Sequence, residues 1–279
     1  MKERYQDIEQ NTATLRELME RMPKLAKEFQ DMFEMSWIYH DAALEGVVYL
    51  PPELDAALGR VKKVPGEAQM MPVLLDIRNQ REAIRFVREE AERTGRKHAQ
   101  ITLTTIKRIH DLTTGNTPEA QAARAAIERR EKTEKELAKE RDRVGYRKDM
   151  PLHRTYFHEI AQPPKIQPML EKLVDYTGSA EFREDHPLRQ AGTLQHMFLQ
   201  IFPFTENSGK VGRLLSNLVL LRNGFEPVII HSIDRQRYYE SFRSSAGSFR
   251  NLLLDAMDNS LDNGIKFFRE AERKARMRA

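Results

Sequence analysis

FPFTENSGKVGRLLSNLVLLRNGFEP, residues 202–227, joins a turn to a helix. Pro203 bars helix before the turn. Val211, Leu214, Leu215, Leu218 and Leu221 then recur at helical spacing and predict a helix over 209–222, closed by the Asn223-Gly224 stop signal. Asn207, Ser208 and Gly209 enter that helix with backbone N–H groups that lack intrahelical acceptors. The helix dipole adds partial positive charge there, so such an end can hold phosphate. Lys210 and Arg213 lie three apart and can face one ligand, and Glu206 can carry a divalent cation between itself and phosphates. The same residues also read as a plain helix start, with Ser208 as N-cap and Lys210 and Arg213 as surface charge. The turn contains no histidine, cysteine or aspartate.

Outward from this stretch the pattern is helical nearly everywhere. Ile8, Leu15, Leu18, Met22, Leu25, Phe29 and Met32 form one apolar stripe, and Pro51-Pro52 breaks the chain after it. Residues 71–91 predict a helix with Leu74, Leu75, Ala83, Ile84 and Val87 inward, stopped by Thr94-Gly95. Thr102 or Thr104 caps a short helix carrying Ile106, Ile109 and His110. Between Glu119 and Arg143 stand eight Lys/Arg and seven Asp/Glu with few large apolar residues, which suits a solvated helix or helical hairpin. Residues 153–164 (HRTYFHEIAQPP) favour extended structure around Thr155, Tyr156, Phe157 and Ile160, stopped by Pro163-Pro164. Helices are expected again over 166–176, 188–201, 237–242 and 248–271.

Composition narrows the function classes. With 279 residues, 40% of them apolar, the chain can bury a sizeable core. No window approaches 18 apolar residues and MKERYQDIEQ does not read as a signal peptide, so a soluble, cytoplasmic protein without membrane association is expected. The absence of cysteine excludes disulfides, thiolate metal sites and cysteine nucleophiles. Lys+Arg number 46 against 42 Asp+Glu, a net charge of +4. The charges are mixed along the chain, which favours solvated helix faces over nucleic-acid binding.

Residues 186–230 resemble the core of the Fic (Fido) family. Its signature, H-P-F-x-[D/E]-G-N-G-[R/K]-x-x-R, is matched by Pro203, Phe204, Glu206, Gly209, Lys210 and Arg213, and its following helix by Leu214, Leu215, Asn217, Gly224, Phe225 and Pro227. VGYRKD (144–149) is similar to the family's G-x-Y-R segment, and NQREAIRFV (79–87) to an upstream family helix. TYFHEIAQPP stands where the family places its target-docking flap, which would comprise Tyr156, Phe157, His158, Glu159 and Ile160. HDAALEGVVYL (40–50) resembles the inhibitory segment [ST]-x-x-x-E-[GN], with Glu45 and Gly46 matching and Asp41 replacing Ser/Thr.

The resemblance implies a mostly α, Fic-fold helical bundle with a short β-hairpin flap. Its parts would be an N-terminal helical region (1–115) with the inhibitory-type segment near 40–50, a charged insertion (116–143), the Fic core (144–245) and a C-terminal helix (246–279). It implies transfer of AMP from ATP, with Mg²⁺, to a protein hydroxyl. Asn207, Ser208, Gly209, Lys210 and Arg213 would hold phosphate, Glu206 the metal, and Glu45 would pair with Arg213 and block the nucleotide. The departures fall on the chemistry. Phe202 replaces the histidine that takes the target's proton, Asn207 the first glycine, Ser208 the asparagine and Lys210 an arginine. His196, six residues before Phe202, reads as a core or surface histidine rather than a substitute base. The expectation is a degenerate site, AMP-transfer-deficient, serving as a protein-binding or regulatory module that retains ATP and Mg²⁺ only if nucleotide still binds. The alternative is an active transferase with altered residues. The partner is a protein target, and a homodimer is compatible with the sequence.

Overall fold

The computed structural model describes residues 2–61, 67–93, 99–116, 145–151 and 159–277. Among these the chain forms α1 (Lys2–Arg21), α2 (Pro23–Leu44), α3 (Pro51–Ala57), α4 (Glu67–Glu92), α5 (Leu103–Thr114), α6 (Ile166–Thr177), α7 (Ala180–Glu184), α8 (Pro187–Ile201), α9 (Ser208–Arg222), α10 (Arg235–Ser244) and α11 (Ala246–Arg276). Single 3₁₀ turns at Pro163–Lys165 and Ser232–Asp234 precede α6 and α10.

The fold is built around α9. From Ser208 to Leu220 every residue of this helix is buried. It packs against α8, α4 and α5, while α8 leans also on α6 and α11. The expected single apolar face is therefore enlarged to the whole circumference. That is tolerable because most polar side chains of α9 find partners, the buried Ser216 hydroxyl being an exception. Asn217 Nδ2 donates to the Val228 carbonyl at 3.1 Å and its Oδ1 accepts from Val228 N at 2.8 Å. A buried polar group paired in this way avoids the desolvation cost of an orphan. The two ends of the chain meet, because α1 packs along α11. One cluster of buried apolar side chains draws on all eleven of these helices.

Local signals explain most boundaries. The Thr102 hydroxyl accepts from Thr105 N at 3.0 Å and starts α5. Pro51 and Pro52 do not break the chain but open α3, taking the first helical positions where a missing N–H costs nothing. The single stripe expected over 8–32 is two helices. Pro23 cannot donate, and Met22 before it leaves helical geometry (φ −128°, ψ 63°), so α1 ends and α2 begins there. The break rotates the stripe, and Met32 is 45% exposed. Leu75 is likewise 48% exposed, and Ile77 takes the inward position on α4 instead.

Tyr156, Phe157 and His158 of the expected flap, and the charged segment 117–143, lie outside the described residues. Glu159 and Ile160 are non-helical chain leading to the 3₁₀ turn at Pro163, and no strand occurs among the described residues.

Candidate functional site

The motif turn is pinned from both sides. Phe202 ends α8 in the left-handed region (φ 48°), and its N–H donates to the Phe198 carbonyl at 2.8 Å. A bulky residue seldom takes this conformation unless its surroundings impose it. Here Arg147 imposes it. Its Nε donates to the Phe202 carbonyl at 2.7 Å, its Nη2 to the carbonyls of Ile201 (3.3 Å) and Ala161, and its backbone N to the Pro203 carbonyl at 2.8 Å. A guanidinium thus satisfies carbonyls at the C-terminal end of α8, where the helix leaves acceptors free. This is the structural work of Arg147, whose segment sequence reading recognised without assigning it a role.

The replaced motif residues are absorbed by the fold. Asn207 sits at φ 61°, where glycine or asparagine is at ease, and its Nδ2 donates to the Thr113 carbonyl at 3.2 Å. Ser208 is fully buried and gives no side-chain cap. Its hydroxyl donates to the Phe204 carbonyl and accepts from Phe204 N, each at 2.9 Å, closing the turn. Phe204 stacks on His110, with centroids 3.8 Å apart at 14°. Burial pushes the His110 imidazole down to about 4, against a hydrogen bond with the Glu206 backbone. Glu206 itself is exposed, and no group of three metal-ligating side chains occurs among the described residues. Phe202 is 2% exposed and belongs to the apolar core. His196 is also in the core, beside Phe242 and Phe249.

The inhibitory-type segment closes on the α9 N-terminus. Helix α2 ends with paired backbone bonds, Gly46 N to the Ala43 carbonyl (3.0 Å) and Val47 N to the Ala42 carbonyl (3.0 Å). This Schellman arrangement needs a residue with positive φ just past the cap, and Gly46 supplies φ +90°. The Leu44 carbonyl is held by Arg235 Nε and by the Tyr239 hydroxyl, both at 2.8 Å. Glu45 is thereby aimed at α9. Its Oε1 accepts from Arg213 Nη2 at 2.7 Å. Its carboxylate also lies so close to Gly209 that a Cβ there would overlap it. The notch that a glycine leaves at the first turn is filled by the chain's own carboxylate.

Lys210 and Arg213 do not turn toward a common ligand. Lys210 Nζ, almost fully buried, lies 3.3 Å from Asp76 Oδ1 on α4, and Asp76 Oδ2 accepts from the Tyr49 hydroxyl. Arg213, 5% exposed, is surrounded. Nε donates to Asp41 Oδ1, Nη2 also donates to the Asp41 carbonyl (3.2 Å), and Nη1 donates to the Tyr238 hydroxyl at 3.1 Å. The guanidinium lies 5.6 Å from the Tyr238 ring centroid. Burial pulls the Arg213 pKa down, but Asp41, Tyr238 and Glu45 more than offset it and hold the cation firmly charged. Asp41, Asp76, Tyr49, Gln80 and Tyr238 are the site residues that sequence reading missed. Only Asp41 left a signal, as the departure from Ser/Thr in the inhibitory segment.

The arrangement, with Glu45 seated against Gly209, has no room for a phosphate at that notch, so no reaction step through ATP and Mg²⁺ follows from it. A small cavity bounded by Ala99, Ile101, Thr177, Gln190, Val219 and Arg222 contains none of the motif residues. No described helix is long and apolar enough to cross a membrane.

Comparison with known proteins bears on the fold. The helical architecture is that of the Fic fold. It matches a Fic domain containing signaling protein from Bacteroides thetaiotaomicron with a TM-score of 0.70, at 20% identity, over 94% of this chain and 98% of that one. It matches Fic-1 from Caenorhabditis elegans with a TM-score of 0.68, at 18% identity, over 95% of this chain and 71% of that one. Residues 100–220 match the Fic/DOC family model, and the chain carries a Fic domain. Among curated proteins it is 24% identical over 211 residues to "Protein adenylyltransferase fic-1" of Caenorhabditis elegans, covering 74% of this chain. It is 35% identical over 83 residues to "Protein adenylyltransferase Fic" of Nematostella vectensis, covering 30% of this chain. The chain spans 35% of the length of the first of these relatives and 19% of the second.

Proposed function

We propose that this protein is a Fic-domain module with a degenerate active site, deficient in AMP transfer, that acts by binding a protein partner. The observation that carries the reading is Phe202. It occupies the position of the proton-accepting histidine, is buried in the apolar core, and has its carbonyl tied down by Arg147. A phenyl ring accepts no proton, and a general base is worth roughly 10²–10⁴ in rate. The closed notch at Gly209 and the engagement of Lys210 and Arg213 with carboxylates support the same conclusion. Partner recognition is assigned to the flap region, Tyr156 to Ile160, by likeness to the family. A cytoplasmic setting fits the cysteine-free chain.

The second reading, an active transferase acting on a protein hydroxyl, draws on the names of the relatives and on the retention of Glu206, Gly209, Lys210 and Arg213. Phosphoryl and nucleotidyl transfer depend strongly on positioning and charge, so a lost base does not by itself abolish them. Transfer from labelled ATP with Mg²⁺ separates the two. The wild-type protein is expected to be silent on itself and on lysate proteins. Robust labelling that vanishes on changing Glu206 or Arg213 would establish the second reading. Gain of labelling by Phe202→His combined with Glu45→Ala would show that only the base and the open notch were missing.

A further inference from the structure

Arg213 faces two carboxylates, and they are held differently. Glu45 sits at the end of α2, beside Gly209 in the first turn of α9, and is half-buried. Asp41 lies one turn earlier and is 2% exposed. Both Asp41 oxygens accept from donors, Oδ1 from Arg213 Nε and Oδ2 from Gln80 Nε2 at 2.6 Å. Burial pushes the Asp41 pKa up, and the adjacent Arg213 cation opposes that by favouring the carboxylate. The main-chain carbonyl of Asp41 takes a further bond from Arg213 Nη2. Asp41 is thus built into the interior with α4 and α9, whereas Glu45 stands at the end of α2, nearer the surface, and meets Arg213 at a terminal nitrogen.

We propose that Asp41 is a resident counter-anion of Arg213, a positioning residue that makes the α9 N-terminus selective for a singly charged acidic group and hostile to a polyphosphate. The proposal rests on the reading of that helix end as an anion site. When Glu45 leaves, an incoming ligand meets a neutral Arg213–Asp41 pair in place of a free guanidinium. Lys210 offers little more, since Asp76 neutralises it. What remains is the partial charge of the helix end, enough to favour one carboxylate or similar anion. A like charge some 5 Å away in a medium of effective dielectric near 20 weakens binding on the order of 100-fold, and the penalty grows with each further charge on the ligand. The occupant this site fits is a side-chain or terminal carboxylate, from Glu45 itself or from an acidic peptide segment that replaces it.

The test uses the full chain with Glu45→Ala, which empties the notch, and compares inorganic phosphate with inorganic tripolyphosphate by calorimetry. With Asp41 intact, phosphate is expected to bind weakly and tripolyphosphate more weakly still. Adding Asp41→Asn should strengthen tripolyphosphate at least about tenfold and phosphate less, so that their affinity ratio rises. A purely structural role for Asp41 would weaken both ligands alike and leave the ratio unmoved. Thermal melts establish that each variant is folded, and Asp41→Ser serves if the asparagine variant does not fold. Micromolar tripolyphosphate binding by Glu45→Ala alone overturns the proposal, whatever the Asp41 variants do. So does an unchanged ratio in a folded Asp41 variant, or no binding in any of them. These outcomes are independent of AMP transfer, which is measured separately and decides the functional reading above.

Discussion

Gly264 and Gly209 each receive another element's side chain, and the two seats differ in kind. At Gly264 on α11 an added Cβ would stand 3.0 Å from Leu15 Cδ1 and 3.1 Å from Phe29 Cζ, so hydrocarbon from α1 and α2 fills the notch. At Gly209 on α9 the filler is the Glu45 carboxylate. The first seat is held by exclusion of water and dispersion, is non-directional, and has no competitor among dissolved ions. The second is held by charge, through Arg213. Similar local geometry therefore gives a joint of hydrocarbon at one place in the core and a joint of charge at the other.

Removing the cation from the charged seat is expected to have the largest effect. Arg213→Ala leaves Asp41 buried without its charge partner and should cost about 3–5 kcal/mol in chemical denaturation. A loss below about 1 kcal/mol would mean that water reaches Asp41 and that the seat is not dry. Next comes Leu15→Ala, which empties the apolar seat and should cost about 2–5 kcal/mol. This loss should be unchanged between about pH 7 and about pH 5, whereas that of Arg213→Ala should shrink as pH falls, because an unpaired buried Asp41 can take up a proton. If both respond to pH alike, the comparison between the two joints fails.

A smaller effect is expected from Gly209→Ala. The new methyl displaces Glu45, so the variant should lose about 1–3 kcal/mol in the wild-type background. In a Glu45→Ala background the same change should be neutral or stabilising by up to about 1 kcal/mol, because alanine is the better helix former. Additivity of the two changes would show that Glu45 does not occupy the notch in solution.

The smallest effect concerns His40, which ties α2 to the loop before α10. It stacks on His231 at 4.3 Å, and its Nδ1 accepts from Ser232 N at 3.2 Å. Burial, together with His231, pushes its pKa down to about 4. The unfolded chain binds a proton near 6.5 that the fold refuses until about 4, so this group's contribution to stability is intact above 6.5 and is lost as pH falls toward 4. Melting temperatures read between about pH 7 and about pH 5 should fall less steeply for His40→Gln than for the wild type. Equal slopes would remove His40 from the linkage.

Much of the scaffold was legible from local pattern. The apolar spacing of 209–222, the Thr102 cap and the Asn223-Gly224 stop are short-range signals, and each holds in the fold. The motif residues and the Glu45–Arg213 pair were legible through likeness to the Fic family. The departures were visible as letters but not as consequences. Asn207 keeps the left-handed turn that a glycine would make, and Ser208 uses its hydroxyl to close the turn. The errors at Met32 and Leu75 came from extending a period across Pro23 and from choosing between adjacent positions on α4, where a rotation of one residue changes the buried face.

The sequence by itself determined the helical class, the placement of α9, the phenylalanine at position 202 and the likeness of the domain to its family, because these rest on residue type and on spacings of a few positions. Only the tertiary structure decided what holds the cations of the motif. Asp41 and Arg213 are 172 residues apart, and Asp76 and Lys210 are 134 apart. No period or propensity links such pairs. Their meeting is settled by how α2, α4 and α9 pack, and by the physical requirement that every charge carried into that interior find a counter-charge there.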